Sequence, residues 1–343
     1  MVWERLGSAS VSSSVANNSW KELDRVTLTQ SGADLDTGVF TAKDNIMILA
    51  HLLPDSTTAC DLTFNGSTGN EYAYRLSNND GSDDTSNSSK AKIDCRYNSN
   101  QNTFLVSQWS NVSGKEKLGQ IDTVHDEGGA GSSSVPDRRE IVGKWTGTNQ
   151  INRVKFNKDT FNNFASGSEL IVLGFDNDEA NSGTNFWQEL ASAETTSNIS
   201  NGIFLDTGTF TTKKYLMVEW YLKTNSDPQT HFNGDQSSNY AWSYVDDNSG
   251  SSTAGGNPSS SAGWHYGGNE MTGRAFIIND ANKEKFYMAH TSYFGSSGAN
   301  NTSTRREIAG KWTNTSAQLN RIYFRKNTIT GYPPSWIKVY GAD

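Results

Sequence analysis

A nine-residue segment of this chain is repeated, almost unchanged, 167 residues later (305 − 138). Residues 138–146 read RREIVGKWT, and residues 305–313 read RREIAGKWT. Other pairs keep nearly the same spacing, such as LDTGVFT at 35–41 and LDTGTFT at 205–211. A solenoid repeat spans only roughly 20–50 residues, so each copy is expected to be a whole domain. The sequence therefore predicts an internal duplication, with an N-terminal arm (1–19), a first domain (20–176), a linker (177–185) and a second domain (186–343).

The composition favours strands over helices. Hydrophobic residues make up 34% of the chain and aromatic residues 11%, and much of the remainder is Ser, Thr, Asn and Gly, which favour turns over helices. Apolar residues alternate over short spans. Residues 46–50, IMILA, are apolar on both sides of a predicted strand, and residues 215–221, YLMVEWY, are their counterpart. The last two strands are expected at 154–156 and 170–174 in the first copy, and at 322–324 and 337–341 in the second. About eight strands are expected in each copy. The predicted fold is all-β, with two tandem jelly-roll-like β-sandwich domains; the alternative, an immunoglobulin-type Greek key, usually needs only about 100 residues.

Charge and hydropathy argue against nucleic-acid binding and against a membrane-spanning segment. The net charge is −8, with no run of basic residues, whereas nucleic-acid binding needs clustered Lys and Arg. No stretch is apolar enough to span a membrane. The first residues lack the basic and then apolar layout of a signal peptide. We therefore expect no nucleic-acid partner and no membrane span, and synthesis in the cytoplasm without export.

Both cysteines lie in the first copy. The second copy has Trp264 near the place of Cys95 and no cysteine opposite Cys60. This pattern fits two small buried thiols. It also fits a disulfide between neighbouring strands, and the sequence leaves both open.

The repeated RRE-GKWT box has a charged head and an aromatic tail. Trp145 and Trp312 are expected to pack in the two cores. The charged residues could form structural ion pairs or contact a neighbouring subunit, and an arginine beside a carboxylate without a nucleophile or base defines no reaction. The candidate assembly residues in the box are Arg139, Glu140, Arg306 and Glu307.

No motif predicts catalysis, a cofactor or a metal. The five histidines lack zinc-ligand spacing. The Asp-rich segment 78–84 lacks the terminal Glu of an EF-hand, and although a loop calcium site stays open there, a solvated loop is favoured. Nucleophile-elbow, phosphate-loop and dinucleotide fingerprints are absent from the sequence.

Two further features could mediate binding. Aromatic residues cluster in the second copy, where Trp242, Trp264 and Tyr266 could stack on a sugar, although core or interface packing is the favoured interpretation. Near the N-terminus, Trp3 and Leu6 repeat the W-x-x-L pattern that opens each copy. An arm carrying a spare strand could add to a sheet edge of its own chain or of a neighbour; the alternative is a flexible tail.

The repeated motifs resemble those of a family of virion structural proteins from marine tailed phages and related environmental viruses. In the first copy the motifs are WKEL (20–23), KEK (115–117), RREIVGKW (138–145) and GSELIVLG (167–174). The second copy departs at its end, where YPPSW (332–336) replaces the Gly-Ser-Glu segment.

The resemblance implies a non-enzymatic virion protein that binds other copies of itself and other virion proteins. Capsid protein, capsid-surface decoration protein and head-fibre component are the expected roles, since duplication doubles the faces available for bonding. A carbohydrate-binding module that recognises host surface glycans, such as a tail fibre, is the alternative. A polysaccharide depolymerase is weaker still.

Overall fold

The computed structural model of the protein describes residues 20–53, 60–78, 87–95, 102–126, 129–158, 163–178, 184–246, 253–264, 269–294 and 303–343. The predicted arm, with Trp3 and Leu6, lies outside these ranges, as do Tyr266 and most of the Asp-rich segment. All regular structure in the described ranges is β-strand, joined in antiparallel pairs. Within those ranges no helix has the length and hydropathy to cross a membrane.

Of the strands in the described residues, twelve belong to the first half and ten to the second. The first half has more than the sequence predicts, because short strands pair within what the sequence presents as loops. The strands of the first half are β1 (Lys21–Thr27), β2 (Asp34–Asp36), β3 (Asn45–Leu52), β4 (Cys60–Phe64), β5 (Tyr72–Asn78), β6 (Asn87–Lys90), β7 (Ile93–Asp94), β8 (Thr103–Ser110), β9 (Lys117–His125), β10 (Asp137–Trp145), β11 (Val154–Lys158) and β12 (Glu169–Phe175).

Ten strands form the second half. They are β13 (Gln188–Glu194), β14 (Ile199–Asp206), β15 (Tyr215–Thr224), β16 (Gln229–Phe232), β17 (Tyr240–Asp246), β18 (Thr253–Ser259), β19 (Asn269–Ile278), β20 (Lys285–Phe294), β21 (Ser303–Trp312) and β22 (Ile322–Ala342).

In the first half, two sheets enclose an apolar core. The large sheet has the order β1-β12-β3-β8-β9-β10-β5-β6, and the small sheet has the order β2-β11-β4-β7. Leu62 and Phe156 of the small sheet belong to one buried cluster with Ile48 and Ile141 of the large sheet. The half is therefore sandwich-like, with its core between the layers.

The second half has a large sheet with the order β13-β22-β15-β19-β20-β21-β17-β18. Its strand β22 is long and pairs with a different set of strands at each end. The first part pairs with β14 and β16, and the last part pairs with β13 and β15. The sequence predicts two separate strands here, around Ile322 and around Ile337. In the described residues, the two large sheets follow the same order strand by strand, and neither sheet takes a strand from the other half.

The large sheets pack against each other, face to face. A second buried cluster joins Met47, Leu49 and Ile171 of the first half to Tyr215 and Phe286 of the second. Strand β3 is consequently covered on both faces, by its own core and by the other half. The two halves therefore contact through an apolar surface.

The cysteines lie side by side in the small sheet of the first half. Cys60 and Cys95 are both buried thiols, and the backbone N–H of Cys95 donates to the carbonyl of Cys60 at 2.9 Å. Burial raises the pKa of the Cys95 thiol well above its ordinary value. Cys60 and Cys95 are therefore adjacent thiols in the structure.

Candidate functional site

A polar cluster lies within the interface between the halves. On strands β9 and β10, Asp122 stands directly opposite Glu140. On strands β20 and β21, His290 stands directly opposite Glu307. Equivalent positions of the sequence repeat, Glu140 and Glu307, meet across the interface, and so do Asp122 and His290, whose Oδ2 and Nε2 atoms are 3.7 Å apart.

Arg138 connects the two carboxylates. Its Nη1 atom lies 2.6 Å from Oε2 of Glu307 and 3.2 Å from Oε2 of Glu140. Arg138 and Glu140 can both point into the interface because residues two apart on a strand share a face. On the other side, Arg305 lies 2.7 Å from Glu307. The guanidinium of Arg138 therefore contacts carboxylates from both halves.

The two glutamates hold one proton between them. Burial and the adjacent Glu140 raise the pKa of Glu307 to about 8. Burial would by itself raise the pKa of Glu140 as well, but its hydrogen bond with Glu307 and the charge of Arg138 keep that pKa below its ordinary value. At neutral pH the pair is therefore half-neutralised, as expected for two carboxylates in contact.

The same cluster has the spacing of a metal site. Ligand atoms of Glu140, His290 and Glu307 all lie within 4.8 Å of one another. A cation there would compete with Arg138, which already contacts both carboxylates. The arrangement therefore favours a shared proton and an ion pair over metal binding.

Glu169 forms a second polar contact between the halves. Its carboxylate accepts hydrogen bonds from Tyr215 Oη at 2.6 Å and Lys214 Nζ at 2.7 Å, both in the second half. From its own half it accepts bonds from Thr27 Oγ1 at 2.8 Å and Arg25 Nη1 at 3.1 Å. Burial opposes ionisation, but these bonds lower the pKa of Glu169 to about 2.

Lys311 forms a third contact. Its side chain is fully buried, and Nζ donates to Asp126 Oδ1 at 2.9 Å and to the carbonyl of Gly129 at 2.7 Å. Both partners belong to the first half. The equivalent Lys144 is exposed by 40% and pairs with Glu116 of its own half at 3.1 Å. The interface is therefore built from repeated residues used in unequal ways.

For two arginines of the predicted assembly set, the contacts seen among the described residues lie within the same half. Arg139 donates to Asn78 Oδ1 at 2.7 Å. Arg306 lies 2.6 Å from Asp246 Oδ1 and stacks 3.7 Å above the ring of Tyr244. Each arginine thus forms an ion pair with an aspartate of its own half, Asp94 at 3.4 Å for Arg139 and Asp246 for Arg306, which is one of the two sequence-based alternatives. The glutamate that follows each arginine points to the other face of its strand, because adjacent residues on a strand alternate.

The aromatic tail of the box is buried, as the sequence predicts. Trp145 is 4% exposed and Trp312 is fully buried. Each indole N–H donates to a carboxylate of its own half, Glu71 at 3.1 Å and Asp235 at 2.8 Å. These tryptophans therefore serve the core.

The sequence-based choice of glycan-facing aromatics needs correction. Trp264 is fully buried and stacks on Trp220, with 4.9 Å between ring centroids, so it cannot face a sugar. Trp242 is half-buried, donates to the carbonyl of Ser261 at 3.0 Å and packs against Tyr244. The third candidate, Tyr266, lies outside the described residues.

Sequence reasoning missed Arg138, Asp122 and His290. Comparison of the copies contained one signal, since Asp122 and His290 occupy equivalent positions beside the repeated glutamates. Because one position holds an aspartate and the other a histidine, the sequence did not indicate that Asp122 and His290 contact each other. Packing between domains cannot be derived from local periodicity.

Comparisons with known proteins add no identification. No family model matches the chain, and no curated protein matches it. Among solved structures, the attachment invasion locus protein Ail of Yersinia pestis, in complex with the heparin analogue sucrose octasulfate, is 6% identical, with a TM-score of 0.13 over 83% of this chain and 99% of that one. Outer membrane protein OprG of Pseudomonas aeruginosa is 8% identical, with a TM-score of 0.11 over 88% and 98%. Scores this low carry no argument about fold or function.

Proposed function

We propose that this chain is a non-enzymatic structural protein of a virion, built from two copies of one jelly-roll-like domain and able to associate with other copies of itself. A capsid protein, a capsid-surface decoration protein and a head-fibre component are the roles that fit. The repeated motifs and their resemblance to virion proteins support this role. The common strand order of the two large sheets supports the duplication.

The observation that carries the proposal is the face-to-face contact between the halves. An apolar cluster and three sets of buried polar contacts, around Glu169, Lys311 and Arg138, fix one half against the other. Buried ion pairs specify one arrangement more than they add stability. A unit with one fixed shape suits a particle built from many identical copies.

The edges of the large sheets offer places for further copies to attach. In the described residues, β1 and β6 form the outer edges of one large sheet, and β13 and β18 those of the other. Edge strands present backbone N–H and C=O groups that can pair with a strand from another chain. The N-terminal arm is a candidate for this added strand, and an extended segment of 19 residues reaches roughly 60 Å, enough to cross to an adjacent subunit.

Deleting residues 2–17 tests the assembly role of the arm. We expect the shortened protein to keep the melting temperature of the full chain while losing assembly, measured by analytical ultracentrifugation and negative-stain electron microscopy. Normal assembly together with a lowered melting temperature would instead assign the arm to its own first domain. Mass spectrometry of separated heads and tails from the source virus would then locate the protein in the particle.

Glycan recognition is the second candidate function, and a specific groove of the second half favours it, as argued below. A depolymerase activity would require turnover of host polysaccharide, which a reducing-sugar assay with the purified protein measures directly.

A further inference from the structure

An open groove of about 470 Å³ lies on the outer face of the large sheet in the second half. Strands β13, β22 and β15 form its floor, at the margin of the part of the sheet that packs against the first half, since Tyr340 also packs against the apolar cluster there. Its lining combines aromatic rings, charges and a hydroxyl group: Ser192, Glu194, Glu219, Trp336, Lys338 and Tyr340.

The aromatic residues form a platform along neighbouring strands. Trp336 stands directly opposite Tyr221, and Tyr340 stands opposite Met217. The rings of Trp336, Tyr221 and Tyr340 are all half-buried, so each keeps some surface open to solvent. Side chains held by a central sheet are fixed in place, which suits stacking on a flat ligand.

Charges of both signs surround this platform. Arg274 donates to Oε1 of Glu219 from Nε at 3.0 Å, and Lys223 lies 3.2 Å from Glu270. Lys338 and Glu194 are exposed at the groove, and the charge of Glu189 acts on Tyr340. The surface therefore has no excess of basic side chains, which favours a neutral ligand that offers many hydroxyl groups over a nucleic acid or an acidic polymer.

The first half provides an internal comparison. Its strands β3 and β12 pair Leu49 with Ile171 where the second half pairs Glu219 with Lys338. The leucine and the isoleucine are fully buried under the second half. Next to them, the first half pairs His51 with Glu169 where the second half pairs Tyr221 with Trp336. The open face is therefore a different surface and not a dimer face left uncovered.

We propose that this groove binds a neutral oligosaccharide, with a pyranose ring stacked on Trp336 and its hydroxyl groups hydrogen-bonded to Glu219, Lys338 and Glu194. The aromatic face covers the apolar C–H side of the sugar. At the rim, Lys338 donates hydrogen bonds to the hydroxyl groups of the sugar, and Glu219 and Glu194 accept them. The groove has room for a short segment of a glycan chain rather than a single buried monosaccharide. This binding does not depend on the virion role.

Glycan-array screening of the full chain, followed by calorimetric titration with the best neutral oligosaccharide, tests the proposal. Trp336→Ala is expected to weaken binding by about tenfold or more, because it removes the stacking surface. Trp336→Phe keeps a ring and should retain most of the affinity. Tyr74→Ala is the control, since that aromatic ring is also half-buried but lies on β5 of the first half, away from the groove; it should leave the affinity within about twofold.

Circular dichroism melting of each variant separates lost binding from lost folding. Absence of binding to every neutral glycan on the array would overturn the proposal, as would equal binding by wild type and a folded Trp336→Ala. Binding confined to sulfated or uronic-acid glycans would contradict the neutral class. Loss of self-association in Trp336→Ala, without any sugar binding, would assign the groove to a second copy of the chain. A protein that binds sugar but does not assemble would support the glycan groove and contradict the proposed structural role, so the two proposals can fail independently.

Discussion

Single residues of the repeat have acquired different surroundings in the two halves. Lys144 and Lys311 occupy the same place in the box, yet the first is exposed by 40% and the second is fully buried beside Asp126 of the other half. The buried ammonium offsets the cost of burying that carboxylate, whereas an exposed ion pair contributes little. The lysine of the box therefore contributes more to stability in the second half, as Lys311, than in the first, as Lys144.

Lys311→Met is expected to lower the free energy of unfolding by about 3–5 kcal/mol at neutral pH, because it leaves the buried carboxylate of Asp126 unpaired. Lys144→Met, the matched control, should cost less than about 1 kcal/mol. Urea denaturation followed by tryptophan fluorescence measures both values. Equal losses in the two variants would contradict the unequal roles assigned to these lysines.

At the scale of a strand, the glycine of the repeated box lets an aromatic ring lie flat against the backbone. A Cβ atom at Gly310 would lie 2.1 Å from the ring of Tyr287, and one at Gly143 would lie 2.9 Å from the ring of Trp109. Either contact is too close for a methyl group. The glycine thus belongs to the packing of β10 and β21, which explains why the box keeps it in both copies.

Gly310→Ala should therefore lower stability by about 1–3 kcal/mol through overpacking against the fully buried Tyr287. Gly32→Ala is the control, since a methyl group there meets Leu28 at an ordinary 3.5 Å. Thermal melting compares the two variants. An unchanged melting temperature for Gly310→Ala would mean that the ring moves aside freely.

Strands could be predicted from the sequence better than their partners could. Alternating apolar residues predicted β11 and β12, and apolar residues on both sides of β3 are typical of a strand covered on both faces. Nothing local indicated that its second cover would be the other half of the chain. Trp264 kept two interpretations for the same reason, because its Gly- and Ser-rich neighbours resemble a surface loop; the ring enters the core, which was the favoured interpretation.

At the scale of the whole molecule, the interface responds to pH through Glu307. Its pKa of about 8 lies above the ordinary value of 4.5, so the protonated form is the one that the folded protein favours. The stability it contributes is fully present below pH 4.5 and is lost as the pH rises through about 8. Glu169, whose pKa is about 2, acts in the opposite direction, and its contribution is lost only as the pH falls from 4.5 through about 2.

Glu307→Gln, which cannot ionise, should make the fall in melting temperature between about pH 5 and pH 8 shallower than in the wild type. Differential scanning calorimetry at several pH values measures this slope. Glu189→Gln replaces an exposed carboxylate of the same half and should leave the slope unchanged. Parallel slopes for wild type and Glu307→Gln would contradict the shared proton at the interface.

The meeting of Glu140 with Glu307 also bears on the history of the chain. If one half is a copy of the other, the interface began between two identical chains, where every substitution altered both sides at once. Two identical glutamates at such an axis had to share a proton, and the present pair still does. Joining the chains freed each side to change alone. Asp122 could then come to face a histidine, and Glu219 and Lys338 could become an open polar pair while their equivalents, Leu49 and Ile171, stayed apolar and buried.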